Sequence, residues 1–82
     1  MIKRLENYEL IKKLMYTVSH EELNRYSIVI VDRRVGGGLR EVSLAGVSKL
    51  MRDRVVIEDT VIPLHRVVEI KRGDEVLWRR SA

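Results

Sequence analysis

Apolar residues recur at three- and four-residue steps through Leu5, Tyr8, Ile11, Leu14 or Met15, and Val18, with Lys3, Glu6, Glu9, Lys12 and Lys13 between them. That period buries one stripe of an α-helix, so the pattern predicts a helix over 2–16 that covers a sheet. Acidic residues among the basic ones argue against a helix lying on a membrane surface. Ser19 and Glu22 stand at capping-box spacing, which predicts a short helix or turn over 20–25 with His20 exposed in its first turn. Tyr26 to Val35 reads as a strand. Its Ile28-Val29-Ile30-Val31 run is β-branched throughout, and a run this tight implies burial on both faces, as in a central strand.

Gly36-Gly37-Gly38 then turns the chain, and Leu39 to Leu44 returns as a second strand. Leu44, Val47, Leu50 and Met51 fit a short helical face, so a helical turn is expected over 44–51. Arg54 to Glu58 is a strand, Asp59-Thr60 a tight turn, and Val61 to Arg72 one long strand. Glu75 to Arg79 is its hairpin partner across Gly73-Asp74. A two-residue loop pairs Lys71 with Val76 and Glu69 with Trp78. A three-residue loop pairs Lys71 with Glu75, Ile70 with Val76 and Val68 with Trp78. The second gathers apolar residues on one face and opposite charges on the other, so it is the expected register. The fold class is α+β: an N-terminal helix on a curled, mostly antiparallel sheet of about five short strands, for which a partly open barrel is a candidate.

The chain has 82 residues, 45% of them hydrophobic, which fits one small domain over 1–82 with its β-rich body over 26–80. No linker or internal repeat is evident. No apolar run nears the roughly 18 residues of a membrane span, and the N-terminus lacks a signal-peptide core, so a cytoplasmic location is expected. Cysteine is absent, which removes disulfides, thiolate metal sites and a thiol nucleophile. His20 and His65 lack metal-ligand spacing, so neither a metal nor a cofactor is expected.

Charge changes the picture more. Sixteen Lys and Arg face twelve Asp and Glu, and the sixteen divide into eleven Arg and five Lys. An arginine-weighted excess suits phosphate oxygens, because guanidinium is a planar fork where ammonium is a point charge. A salt-bridged surface of a heat-adapted protein gives the same composition.

Two dipeptides place ionisable groups where their neighbours want burial. Asp32-Arg33 closes the first apolar strand, and His65-Arg66 follows Ile62-Pro63-Leu64. Such groups need partners or an anion, since an unpaired buried charge costs several kcal/mol. An Arg–Asp bridge at the sheet end, with His65 hydrogen-bonded nearby, meets that need as well as a binding site does. Strand neighbours point to opposite faces, so both members of a pair reach one pocket only if the strand ends or bulges there. Pro63 favours such a distortion or an edge position.

Tyr26-Ser27-Ile28-Val29-Ile30-Val31-Asp32-Arg33, Ile62-Pro63-Leu64-His65-Arg66-Val67-Val68-Glu69-Ile70 and Glu75-Val76-Leu77-Trp78-Arg79-Arg80, with the Leu/Ile-rich N-terminal helix, resemble the archaeal RNA cyclic group end recognition domain family, formerly an uncharacterised protein family. The chain departs from that pattern at Val31, often Tyr, and at Tyr16, often Trp. The resemblance implies a non-catalytic module that binds RNA 3′ ends bearing a 2′,3′-cyclic phosphate, alongside RNA-processing enzymes. On that reading Arg33 and Arg66 are phosphate ligands, His65 is a neutral donor, and Asp32 orients a guanidinium or accepts a ribose hydroxyl. Lys71, Arg72, Arg79 and Arg80 form a secondary track for the RNA backbone. Trp78 and Tyr26 are candidate stacking surfaces, although the hairpin register favours Trp78 as core. Two other classes stay open: an adaptor that docks through an open sheet edge, and a small phosphodiesterase using His65 as acid or base.

Overall fold

The structure is a computed structural model that describes residues 6–32 and 38–80, with Asp32 as backbone only. The helix α1 spans Glu6–Thr17 and buries Asn7, Ile11 and Leu14, one stripe at four- and three-residue steps. The first residues of the predicted helix lie outside the described residues. After α1 the Ser19 hydroxyl accepts from the Glu22 N–H at 3.3 Å, as the capping spacing predicts, and a 3₁₀ turn over Leu23–Arg25 leads into the first strand.

Among the described residues seven strands follow, where about five were expected: β1 Tyr26–Asp32, β2 Gly38–Ser43, β3 Val47–Leu50, β4 Arg54–Ile57, β5 Thr60–Pro63, β6 Val67–Arg72 and β7 Glu75–Arg79. They form two antiparallel sheets, β2-β1-β6-β7 and β3-β4-β5, rather than one sheet closing toward a barrel. β1 is an inner strand, as its β-branched run predicts, but its faces are unequal: Ile28 and Ile30 are buried, while Val29 and Val31 are only half-buried. One core joins Ile11 and Leu14 of α1 to Ile28 and Ile30 of β1, Val55 and Ile57 of β4, Ile62, Val67 and Ile70, and the leucines that open three 3₁₀ turns, Leu23, Leu44 and Leu64.

Four further expectations are corrected. The helical turn covers Leu44–Gly46 alone, and Val47–Leu50 is strand β3. The long strand over 61–72 is two strands, β5 and β6, broken by a 3₁₀ turn at Leu64–Arg66 and belonging to different sheets. The β4–β5 turn is Glu58-Asp59, with φ of 50° and 68°, and Thr60 is already strand. In the final hairpin Gly73, with φ of 58°, supplies the left-handed residue of a two-residue loop. The expected three-residue register is overturned: Arg72 faces Glu75 and Lys71 faces Val76, as the two-residue loop predicts, and a bulge then sets Ile70 rather than Glu69 opposite Trp78. Trp78 packs against the core, and its indole N–H donates to Glu6 Oε1 at 3.4 Å.

The chain also contains a structural repeat that its residues conceal. Each half is a hairpin, a 3₁₀ turn and a third strand that crosses to the other half's sheet: β1-β2, Leu44–Gly46, β3, then β4-β5, Leu64–Arg66, β6. The registers correspond. Ile28 faces Val42 as Val55 faces Ile62, and Val47 faces Ile57 as Val67 faces Ile30. Even the bulges match, with Ser48 the extra residue of β3 and Val68 that of β6. Apolar burial follows the same rule: Ile28 and Val55 are both fully buried.

Candidate nucleic-acid interface

The turn carrying His65 and Arg66 exists because the chain must leave one sheet for the other. Pro63, with φ of −61°, ends edge strand β5, where its missing N–H removes no ladder bond from a central strand. Leu64 drops into the core, and the Val67 N–H closes the turn onto the Leu64 carbonyl. His65 and Arg66 are left exposed.

Three other parts of the chain hold this turn. From α1, the buried Asn7 side chain donates from Nδ2 to the Leu64 carbonyl at 2.8 Å. Ahead of β4, the Asp53 carbonyl accepts from the Leu64 N–H at 2.9 Å. Beyond β7, the Arg80 guanidinium donates to the carbonyls of His65 and Val67, the latter at 3.2 Å. The Arg80 N–H also donates to the Val68 carbonyl at 2.9 Å. The peptide groups that carry His65 and Arg66 are thus fixed before any ligand arrives, which lowers the ordering cost of binding.

The related turn at Leu44–Gly46 identifies what folding does not require. Ala45 and Gly46 stand there in the places of His65 and Arg66, and the turn closes in the same way onto the Leu44 carbonyl. The two charged-type side chains are therefore additions to a turn that forms without them. At Gly46 an added Cβ would lie 3.7 Å from Glu58 Oε2, so a carboxylate borders that turn. At the position corresponding to Glu58, the other half has Val31.

Arg66 lines a notch with Ile30 and Val31 at the end of β1, Arg40 of β2, and Thr60 to Ile62 of β5. It is small, about 30 Å³, and has room for a water-sized group beside Arg66. Val31 immediately precedes Asp32-Arg33. The structure therefore brings Arg66 to the end of the strand that leads into the other predicted pair. The Asp32 side chain and Arg33 lie outside the described residues, as do Gly36 and Gly37 of the glycine turn. His65 is exposed and is not among the notch's lining residues. Sequence reasoning missed Arg40, whose place opposite Ile30 depends on the β1–β2 register.

The secondary basic residues separate. Arg79 pairs with Glu69 at 2.9 Å, and Arg80 braces the turn. Lys71 and Arg72 sit beside Ser27 and Tyr26, at the start of β1. That end is roughly 17 Å from Val31 at about 3.4 Å per strand residue. There Arg72 lines an open groove of about 520 Å³ with Arg25, Ser27 and Glu41. The Ser27 hydroxyl donates to Glu41 Oε2 at 2.6 Å, and the Lys71 ammonium lies 3.6 Å from Oε1. Chiefly the Ser27 hydrogen bond, with Lys71 adding to it, holds the Glu41 carboxyl below its ordinary value. The candidate stacking residues Tyr26 and Trp78 are both half-buried against the core. Among the described residues no cluster of His, Asp and Glu can hold a metal ion, and no helix is long and apolar enough to cross a membrane.

A family model described as the MJ1316 RNA cyclic group end recognition domain matches residues 5–80. A UPF0248 protein of Metallosphaera sedula is 34% identical over 73 residues, 88% of each chain. One from Saccharolobus islandicus strain L.S.2.15 is 37% identical over 65 residues, 73% of this chain and 81% of its own. One from Methanopyrus kandleri is 31% identical over 62 residues, 76% of this chain and 84% of its own. No solved structure matches.

Proposed function

Because the chain belongs to the MJ1316 RNA cyclic group end recognition domain family, we propose that it is a non-catalytic RNA-binding module that holds a 2′,3′-cyclic phosphate terminus with Arg66 as the principal ligand. The observation that carries this reading is the Arg66 turn, fixed by hydrogen bonds from three separate parts of the chain and set at the end of β1. A cyclic phosphate diester is a monoanion with two non-bridging oxygens, which match a guanidinium fork. A linear terminal phosphate carries up to one more charge at pH 7 and has no ring to fit. Arg33 is the second phosphate ligand of the proposal, Asp32 orients a guanidinium or accepts a ribose hydroxyl, and His65 donates at the rim.

The family description names recognition and not turnover. Proton-shuttling chemistry with two histidines also has no support from their placement. His20 lies in the turn that leads to the start of β1, and His65 lies near the residues that face its end. A second reading, an adaptor that docks through a sheet edge, is favoured by Leu39 on edge strand β2 and by Val76 and Leu77 on edge strand β7, all exposed.

The test is equilibrium binding of one short RNA with a cyclic phosphate, a linear phosphate or a hydroxyl at its 3′ end. The natural protein is expected to prefer the cyclic end. Arg66→Ala is expected to lose about 10- to 100-fold on that end alone, as for a lost charge-assisted contact. Equal affinity for the three ends contradicts the proposal, and a partner captured through β2 or β7 without RNA supports the adaptor instead.

A further inference from the structure

A further cavity lies away from the Arg66 notch, between α1 and β3. It holds about 240 Å³, and its lining includes Tyr8, Lys12 and Tyr16 from one side of α1 and Lys49 from β3, over a floor of Met15 and Leu50. The cavity is below the size of a drug-like pocket and suits one flat ring system. Among the described residues no acidic one lines it. Its walls differ in kind. Met15 and Leu50 are half-buried and apolar, whereas Lys12 and Lys49 are exposed at the rim. The Lys12 ammonium stands 5.7 Å from the centre of the Tyr8 ring, which holds that cation at the edge of the groove.

Tyr16 stands outside the core. It is 80% exposed, the most exposed large hydrophobic residue among those described. It sits two residues after the buried Leu14, off the stripe that packs on the sheet. An aromatic ring left in water beside an apolar floor and two ammonium groups has the composition of a stacking site for a base whose flanking phosphates are neutralised. A protein partner fits less well, because the rim offers two like charges and no acid for a mixed polar contact.

We propose that this groove binds one unpaired nucleotide of single-stranded RNA, with the base against Tyr16 over Met15 and Leu50 and the adjoining phosphates on Lys12 and Lys49. The inference rests on the RNA-binding reading but assigns a different task to a different surface. The groove contributes affinity for single strands whatever their terminus, and the Arg66 notch contributes discrimination among termini.

Tyr16→Leu keeps an apolar side chain but no ring at an exposed position, so its thermal midpoint should match that of the natural protein. Its affinity for a short single-stranded RNA should fall about 5- to 100-fold on cyclic, linear-phosphate and hydroxyl ends alike, the range for one lost base stack. Preference among the ends should persist. Binding of a fully paired RNA should be indifferent to Tyr16→Leu. The Lys12→Ala/Lys49→Ala double variant should make the plot of log affinity against log salt shallower by about 1.4, two phosphate contacts to a single strand. Unchanged single-strand affinity in Tyr16→Leu overturns the inference while leaving the Arg66 proposal standing if Arg66→Ala still erases end preference. Tyr16-dependent binding with no end preference in the natural protein has the opposite meaning. Loss of a protein partner, with RNA affinity intact, assigns the groove to a protein and also overturns the inference.

Discussion

Replacing Asn7 by Ala tests whether the hydrogen bonds around the Arg66 turn hold the fold as well as the site. Asn7 is 4% exposed, donates to the Leu64 carbonyl at 2.8 Å, and accepts from the Tyr8 N–H at 2.7 Å through Oδ1. The first of these bonds contributes about 1 kcal/mol net, a typical value for an intramolecular hydrogen bond. Tyr8 lies in the first turn of α1, where N–H groups have no helical acceptor, so losing Oδ1 leaves a donor unpaired at about 1–3 kcal/mol. The better helix propensity of Ala returns roughly 0.6 kcal/mol. The expected loss is about 2 kcal/mol, which for a domain of this size lowers Tm by roughly 8–16 °C. Urea and thermal unfolding followed by circular dichroism measure it.

Asn7→Asp is the discriminating companion. Its carboxylate can accept from Tyr8 but has nothing to donate to Leu64, so the folded state raises its pKa. Below the unfolded carboxyl's ordinary value, about 3.9, the acid is protonated and can donate, and the deficit is smallest. The deficit grows as pH rises above that value. A loss under about 0.5 kcal/mol for Asn7→Ala, or a pH-independent deficit for Asn7→Asp, refutes the assigned role. Below its own Tm, Asn7→Ala should also bind cyclic ends less selectively, because the loosened turn no longer presets Arg66.

Two further predictions concern the scaffold. Asp59 holds φ of 68° beside Glu58 at 50°, a pair of left-handed residues that a two-residue hairpin fills best with Asn-Gly. Asp59→Gly should therefore raise stability by about 0.5–1 kcal/mol, seen as a higher urea midpoint, while Asp59→Ala should not. Glu41 is held below its ordinary pKa by the Ser27 hydroxyl and then Lys71, so its contribution is present above that ordinary value and fades as pH falls through the depressed one. Acid titration of stability should show a steeper fall for the natural protein than for Glu41→Gln. Parallel curves mean that the Ser27–Glu41 bond is not kept in solution.

The elements that could be read from the residues are those whose signal is local. The β-branched run at Ile28 to Val31 announces a central strand, and the Ile11/Leu14 stripe a covering helix. What escaped depends on which sheet receives a strand. Val61 to Arg72 is a nearly unbroken β-favouring run, and alternation cannot reveal that its halves serve different sheets. Pro63 was the one mark of the break, and Leu64 enters the core there in place of a strand position. Val47 and Leu50 fit helical spacing, but pairing on β4 overrides so short a pattern. In the last hairpin, grouping apolar residues on one face favours a three-residue loop, but the chain takes the two-residue loop and recovers the Ile70–Trp78 pairing through a bulge. The repeat is hidden because its halves share places and not residues: Ala45-Gly46 corresponds to His65-Arg66.

His65-Arg66 stood out as polar groups interrupting an apolar run, and the turn does expose them. Arg40 entered the notch only through its pairing opposite Ile30, and the Tyr16 groove exists only because β3 passes beside α1. Neither relation is written in adjacent residues.

The central claim is that Arg66 reads the chemistry of an RNA terminus from a prefixed turn. Its most direct test is the ratio of affinities for cyclic and linear 3′ ends of one RNA at one salt concentration, compared between the natural protein and Arg66→Ala. A ratio well above one is expected, falling to about one in the variant with Tm unchanged. A ratio near one in the natural protein, or one that survives the substitution, contradicts the claim.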